Sequence, residues 1–150
     1  MPKTVHHRSR GFSLMELMIV VAILTVIASI AYPSYLGFVT RTNRTAAKSA
    51  LVLIADRQEQ FFAQNKRYAP NLSSLGFADD TIMIDARGDY VPDASDDRVY
   101  HVELTDTAPM TFTVNATPQL RQAGHDTVCG SMTLTHTGIK GQTGTGTNCW

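Results

Sequence analysis

Three groups of residues in this 150-residue chain have types and spacings that could carry chemistry. The first is Glu16, a lone carboxylate at the head of an apolar stretch, five positions after Gly11 and just beyond the cations Lys3, Arg8 and Arg10. A charge held in lipid costs roughly 3 kcal/mol or more unless it is paired, so Glu16 calls for a cationic partner. The second is Cys129 and Cys149, the only two cysteines. The third is a scatter of groups that do not combine. His101, His125 and His136 have no His-Glu-x-x-His or Cys-x-x-Cys companion, and they read as surface histidines. The run Gly141-Gln142-Thr143-Gly144-Thr145-Gly146 lacks the Gly-Lys-Ser/Thr of a phosphate loop and reads as a flexible loop. Asp93, Asp96 and Asp97 lack the spacing of a calcium loop. No catalytic residues, metal or cofactor are expected, and the chain does not read as an enzyme.

The elements that position these residues follow from charge and periodicity. From Leu17 to Thr40 there are 24 residues without a charge, enough for the ~20 that a membrane-spanning helix needs. The run exceeds the ~7–15 residues of a secretory signal core and is followed by no Ala-x-Ala cleavage stretch. It is also apolar all round, unlike the surface helix of a small domain. A span is the best reading, and the basic residues before it put the N-terminus in the cytoplasm and the rest outside. From Thr40 to about Arg67 the pattern becomes amphipathic: Ala47, Leu51, Ile54, Phe61 and Phe62, with Ala50 and Leu53 beside them, recur at three- and four-residue intervals. A continuous helix from Phe12 to about Asn65 would be ~80 Å long. Lys66, Arg67 and Pro70 are its stop signals. Beyond Gly76, three segments have strand composition: Arg98 to Leu104, Met110 to Ala116 and Val128 to Thr135. Three or four antiparallel strands would bury one face on the helix, and the acidic stretch from Asp79 to Asp97 reads as a polar surface connection.

The junction Arg10-Gly11-Phe12-Ser13-Leu14-Met15-Glu16-Leu17 resembles the processing site of type IV prepilins: a short basic leader ending in Gly, then Phe, then Glu as fifth residue of the mature chain. The resemblance implies that a prepilin peptidase/N-methyltransferase removes residues 1–11 by cutting between Gly11 and Phe12 and methylates the Phe12 amine. It further implies that residues 12–40 form the transmembrane and later filament-core helix, and that residues 41–150 form a periplasmic head. The expected fold is α+β, the type IV pilin fold, with a long N-terminal helix packed on a small antiparallel sheet. In a filament, Glu16 of one subunit would pair with the Phe12 amine of a neighbour and set axial register. Pro33, at a position where pilins commonly have one, and Gly37 would kink or loosen the helix between Ser29 and Gly37.

Two cysteines in an exported segment normally pair, and pilins resemble this chain in carrying a disulfide-bounded C-terminal loop, so a Cys129–Cys149 bond is expected. The Cys149-Trp150 ending resembles PilE-type minor pilins, and Tyr68 to Gly76 resembles the segment that follows the long helix in pilins and pseudopilins. The implied function is a structural subunit, more in keeping with a minor one. It would be held in the inner membrane of a Gram-negative bacterium by its span and then moved into an extracellular filament that supports pilus assembly, twitching motility, adhesion or DNA uptake. Its partners would be membrane lipid before assembly, the inner-membrane assembly platform, the major pilin and other minor pilins. The alternatives are a type II secretion pseudopilin, or a pilin whose head captures DNA or a surface ligand. DNA is not favoured: from Tyr68 onward only Arg87, Arg98, Arg121 and Lys140 face ten acidic residues, whereas phosphate binding needs clustered cations. It would require a local patch around Lys140 and Arg121.

Overall fold

A computed structural model describes residues 12–150; the leader, residues 1–11, lies outside the described residues, and with it the expected cleavage residue Gly11. The chain divides into two units between Tyr35 and Leu36. A single helix, α1 (Leu14–Asn65), contributes residues to both.

In the first unit every described residue is exposed. Two of its hydroxyls are satisfied within the helix: Thr25 donates to the Ala22 carbonyl and Ser29 to the Val26 carbonyl, both at 2.8 Å. What remains is an apolar cylinder with no unpaired side-chain dipole at those positions, a surface suited to lipid or to other apolar helices. Pro33 lies inside α1, and the helix continues without a break through it and through Gly37.

The second unit, Leu36–Trp150, is an antiparallel sheet packed on the remainder of α1. The sheet has six strands in the order β2-β1-β3-β4-β5-β6: β1 (Thr81–Ile84), β2 (Tyr90–Val91), β3 (Tyr100–Ala108), β4 (Thr111–Pro118), β5 (Met132–Thr135) and β6 (Lys140–Gln142). Alternation decides the inner face. Tyr100, Val102, Phe112, Val114, Ala116, Met132, Leu134, Ile82 and Ile84 point inward and meet Ala46, Ala47, Ala50, Leu51 and Ile54 of α1. The buried helical positions run Thr40, Asn43, Ala46, Ala47, Ala50, Leu51, Ile54, Gln58, which is the expected stripe with two corrections, the first being that Phe61 and Phe62 are only half-buried. Second, Leu53 stands 41% exposed, and the next turn of the stripe is filled instead by Gln58, fully buried. Gln58 is tolerated there because its amide donates to the Ala69 carbonyl at 3.0 Å and accepts from the Ala69 N–H at 2.8 Å. That two-point clamp fastens the chain as it leaves the helix at Lys66, which is in the left-handed region at φ 58°.

Two further differences from expectation have clear causes. The segment from Asp79 to Asp97 is not a plain connection, for it holds β1 and β2. Their four and two residues are too short for a periodic signal, and β1 is flanked by Asp80 and Asp85. The Gly- and Thr-rich tail is not a flexible loop. Beyond β6 it stays zipped to the chain before β5: the N–H groups of Thr143, Gly144 and Gly146 donate to the carbonyls of Ser131, Cys129 and Val128 at 3.0, 2.9 and 2.8 Å. A side chain at Gly144 would run into the Val128 carbonyl, so its glycine is the condition for that approach. Cys129 and Cys149 are bonded, with Cα atoms 5.5 Å apart. A short helix, α2 (Leu120–His125), bridges β4 to this region.

Candidate functional site

At the start of α1, Ser13 and Glu16 form a capping box. The Glu16 carboxylate reaches back to accept the Ser13 N–H at 2.9 Å, and the Ser13 hydroxyl accepts the Met15 N–H at 3.4 Å. Ser-x-x-Glu before an apolar run is the sequence signature of that cap, so one short motif carries both the resemblance to a processing signal and the start of the helix. Phe12 is 85% exposed beside it.

Where α1 meets α2, a polar network is buried. Gln122 accepts from the Asn43 amide at 2.9 Å and donates to the Thr40 carbonyl, the Tyr100 hydroxyl and Asp126 at 3.2, 3.0 and 3.0 Å. Asp126, wholly inaccessible, also accepts the Arg44 guanidinium at 2.8 Å and the Tyr100 hydroxyl at 2.9 Å, all three donors converging on one carboxylate oxygen. Burial, the largest effect, and the neighbouring Asp126 push the Tyr100 phenol above its ordinary range. None of these residues stands out from its local sequence; only the fold brings positions about 80 apart together.

The same edge of the molecule gathers cations. Arg41, Arg44 and Lys48 recur at three- and four-residue intervals and share one face of α1. Lys140, on β6, lies close to Lys48. Burial, followed by the charges of Arg44 and Lys140, pushes the Lys48 ammonium below its ordinary value. Among the described residues only Arg44 of this group forms an ion pair. Trp150 borders the cluster, its indole N–H donating to the Gly141 carbonyl at 2.8 Å and its ring centroid 5.4 Å from the Lys140 ammonium. The expected partner Arg121 is on α2, exposed; the cation that Lys140 lies near is Lys48. At the other edge of the sheet Asp79, Asp80 and Asp93 line an open groove with Arg57, Phe77 and Tyr90 beside β1 and β2, while Glu103 and Asp106 are on β3 and Asp126 is buried against Arg44. The head is thus acidic in sum and polar in layout.

The remaining candidates stay apart. His101 is half-buried on the outer face of β3, His125 is exposed at the end of α2, and His136 lies 6.2 Å from Tyr68 and 6.3 Å from Phe112, ring centre to ring centre. No three potential metal ligands converge among the described residues.

These features define a class: an α+β head on a helix whose apolar half must be covered by lipid or by like helices. Comparison with known proteins agrees. The profile of the family described as "Type IV minor pilin ComP, DNA uptake sequence receptor" matches residues 33–133, and that of the prokaryotic N-terminal methylation motif matches residues 6–32. Among relatives, the type IV major pilin protein PilA of Myxococcus xanthus is 42% identical over 71 residues, 47% of this chain and 32% of its own length. The type II secretion system core protein G of Dickeya chrysanthemi is 33% identical over 69 residues, 46% of this chain and 45% of its own. A fimbrial protein of Pseudomonas aeruginosa is 32% identical over 104 residues, 65% of this chain and 67% of its own. The alignments with the first two thus span less than half of those relatives. The chain belongs to the type IV minor pilin family. The methylation motif covers the basic leader junction and the first part of the apolar run.

Proposed function

We propose that this chain is a minor pilus subunit whose head captures double-stranded DNA at the β6 edge. The observation that carries the reading is the Lys48, Arg44 and Lys140 cluster, in which Lys48 and Lys140 have no carboxylate partner among the described residues. Lys48, half-buried beside Arg44 and Lys140, lacks a counter-charge of its own, and a polyanion would supply one. A formal charge sum over the head hides this, because several of its acids, among them Asp79, Asp80 and Asp93, sit at the opposite edge of the sheet. The match to a family named for a DNA uptake sequence receptor supports the same reading.

The assembly half of the proposal concerns the N-terminus. Cleavage between Gly11 and Phe12 frees the Phe12 amine, which is then methylated. Glu16, now bonded to Ser13, exchanges or shares that contact with the amine of a neighbouring subunit as residues 12–40 leave lipid for other helices. Before assembly the head, residues 41–150, is periplasmic in a Gram-negative cell; afterwards it is extracellular.

DNA binding is tested with the mature chain in mild detergent and a labelled duplex, by fluorescence anisotropy across a salt series. Replacing two phosphate-contacting lysines reduces the slope of log affinity against log salt by about 1.8, at ~0.9 per contact. The double variant Lys48→Gln, Lys140→Gln is therefore expected to bind more weakly with a shallower slope. A slope equal to that of the parent would remove this edge from DNA recognition.

A further inference from the structure

Separate from the lysines, Arg41, Arg44, His125 and Asn148 close around a cavity of about 310 Å³ whose remaining wall is Leu36, Gly37 and Thr40. We infer that this cavity holds the phosphate headgroup of an anionic phospholipid while the chain resides in the membrane. The inference rests on reading residues 12–40 as the span.

Position selects the ligand. The 24 uncharged residues from Leu17 to Thr40 extend ~36 Å as a helix, slightly more than the ~30 Å hydrocarbon core, so Leu36 to Arg41 fall at the boundary where headgroups lie. Arg41 is the first charge after the run. The walls match the two parts of a phospholipid. Leu36 and the open space at Gly37, where an added Cβ would meet nothing within 4 Å, face the glycerol and acyl side. Two guanidinium groups, an imidazole and an amide face the phosphate. Arg41, His125 and Asn148 are exposed, while Arg44 is already held by the buried Asp126. Asp126 therefore fixes one donor and cancels its charge, leaving Arg41 as the uncompensated cation. A cavity of this size is at the lower end for small-ligand sites, and its depth at the membrane boundary keeps it from a DNA duplex while the subunit is anchored.

The test uses the full chain purified from its membrane in mild detergent, with native mass spectrometry reading lipid retained from micelles doped with phosphatidylglycerol or phosphatidylethanolamine. One retained phosphatidylglycerol per chain is expected. Retention should fall about fivefold for Arg41→Gln, the effect of one cation near an anionic headgroup, and further with His125→Gln added. Lys66→Gln, at the far end of α1, should leave it unchanged. Equal retention in Arg41→Gln and parent overturns the proposal. Displacement by millimolar inorganic phosphate would identify a free-phosphate site, and Arg41-dependent displacement by a short duplex would give the cavity to nucleic acid; either also overturns it. Extraction of the chain from membranes by alkaline carbonate would instead refute the span, and so separates the two failures.

Discussion

Gln58 offers the sharpest test of how the head is held to its helix. It is a fully buried polar side chain on an otherwise apolar stripe, and its only partners are the N–H and C=O of Ala69, itself fully buried. Leucine has similar volume and suits the stripe better by hydrophobicity, so a count of apolar contacts predicts stabilisation. The hydrogen-bond argument predicts the reverse. Gln58→Leu orphans two buried backbone groups at roughly 1–3 kcal/mol each, and the added apolar burial returns about 1–2 kcal/mol. The expected net loss is ~2–3 kcal/mol, which for a unit of this size lowers the melting midpoint by about 10 °C. Thermal unfolding of the mature chain in detergent, followed by near-ultraviolet circular dichroism, reads it directly. Gln60→Leu is the control: Gln60 is exposed and donates only to Asp56, and its loss should shift the midpoint little. A midpoint for Gln58→Leu within about 2 °C of the parent, well short of the shift expected for a unit of this size, would refute the clamp as a source of stability.

Glu16→Ala is expected to leave the protein in the membrane and exclude it from sheared filaments, checked by immunoblot of both fractions; normal incorporation would end the register argument. Gly144→Ala should cost about 2 kcal/mol or more, because the new side chain meets the Val128 carbonyl, whereas Gly124→Ala, on α2 in open space, should be neutral or slightly stabilising by helix propensity. Denaturant midpoints compare them. Burial pushes the Asp85 carboxyl up, but hydrogen bonds from the Asp89 and Arg87 N–H groups and the Arg87 side chain outweigh it and hold the group below its ordinary value. A depressed folded pKa contributes stability above the unfolded value of about 4, and that stability is lost as pH falls through the folded value. An acid titration of the midpoint should therefore steepen below about pH 4 and be flatter in Asp85→Asn.

What could be read in advance was what repeats or what is locally dense. The apolar run, the helical stripe through Ala47, Leu51 and Ile54, and the strands β3, β4 and β5 all announce themselves by period or composition. Gln58 and Asn43 broke the stripe because their value lies in partners at Ala69 and Gln122, which no periodicity encodes. β1 and β2 are pinned by pairing with β3 rather than by composition. The glycines of the tail looked like slack, and their role emerges only when Val128 and Cys129 lie against them. The cation cluster was hidden for a related reason: a sum over residues has no positions, and Lys48 and Lys140 are 92 residues apart.

The alanine face of α1 has a mechanical consequence. Ala46, Ala47 and Ala50 present the sheet with a low-relief face, on which only Leu51 and Ile54 interlock with the strands. The Asn43–Gln122 and Arg44–Asp126 bonds act as a detent on that face: displaced by a turn, Gln122 loses the Asn43 amide and Asp126 loses the Arg44 guanidinium together. A pull along the helix is therefore opposed at two places, as shear on this adjacent pair of hydrogen bonds and on the Gln58–Ala69 pair further along α1, and the head is expected to hold its position until both places yield.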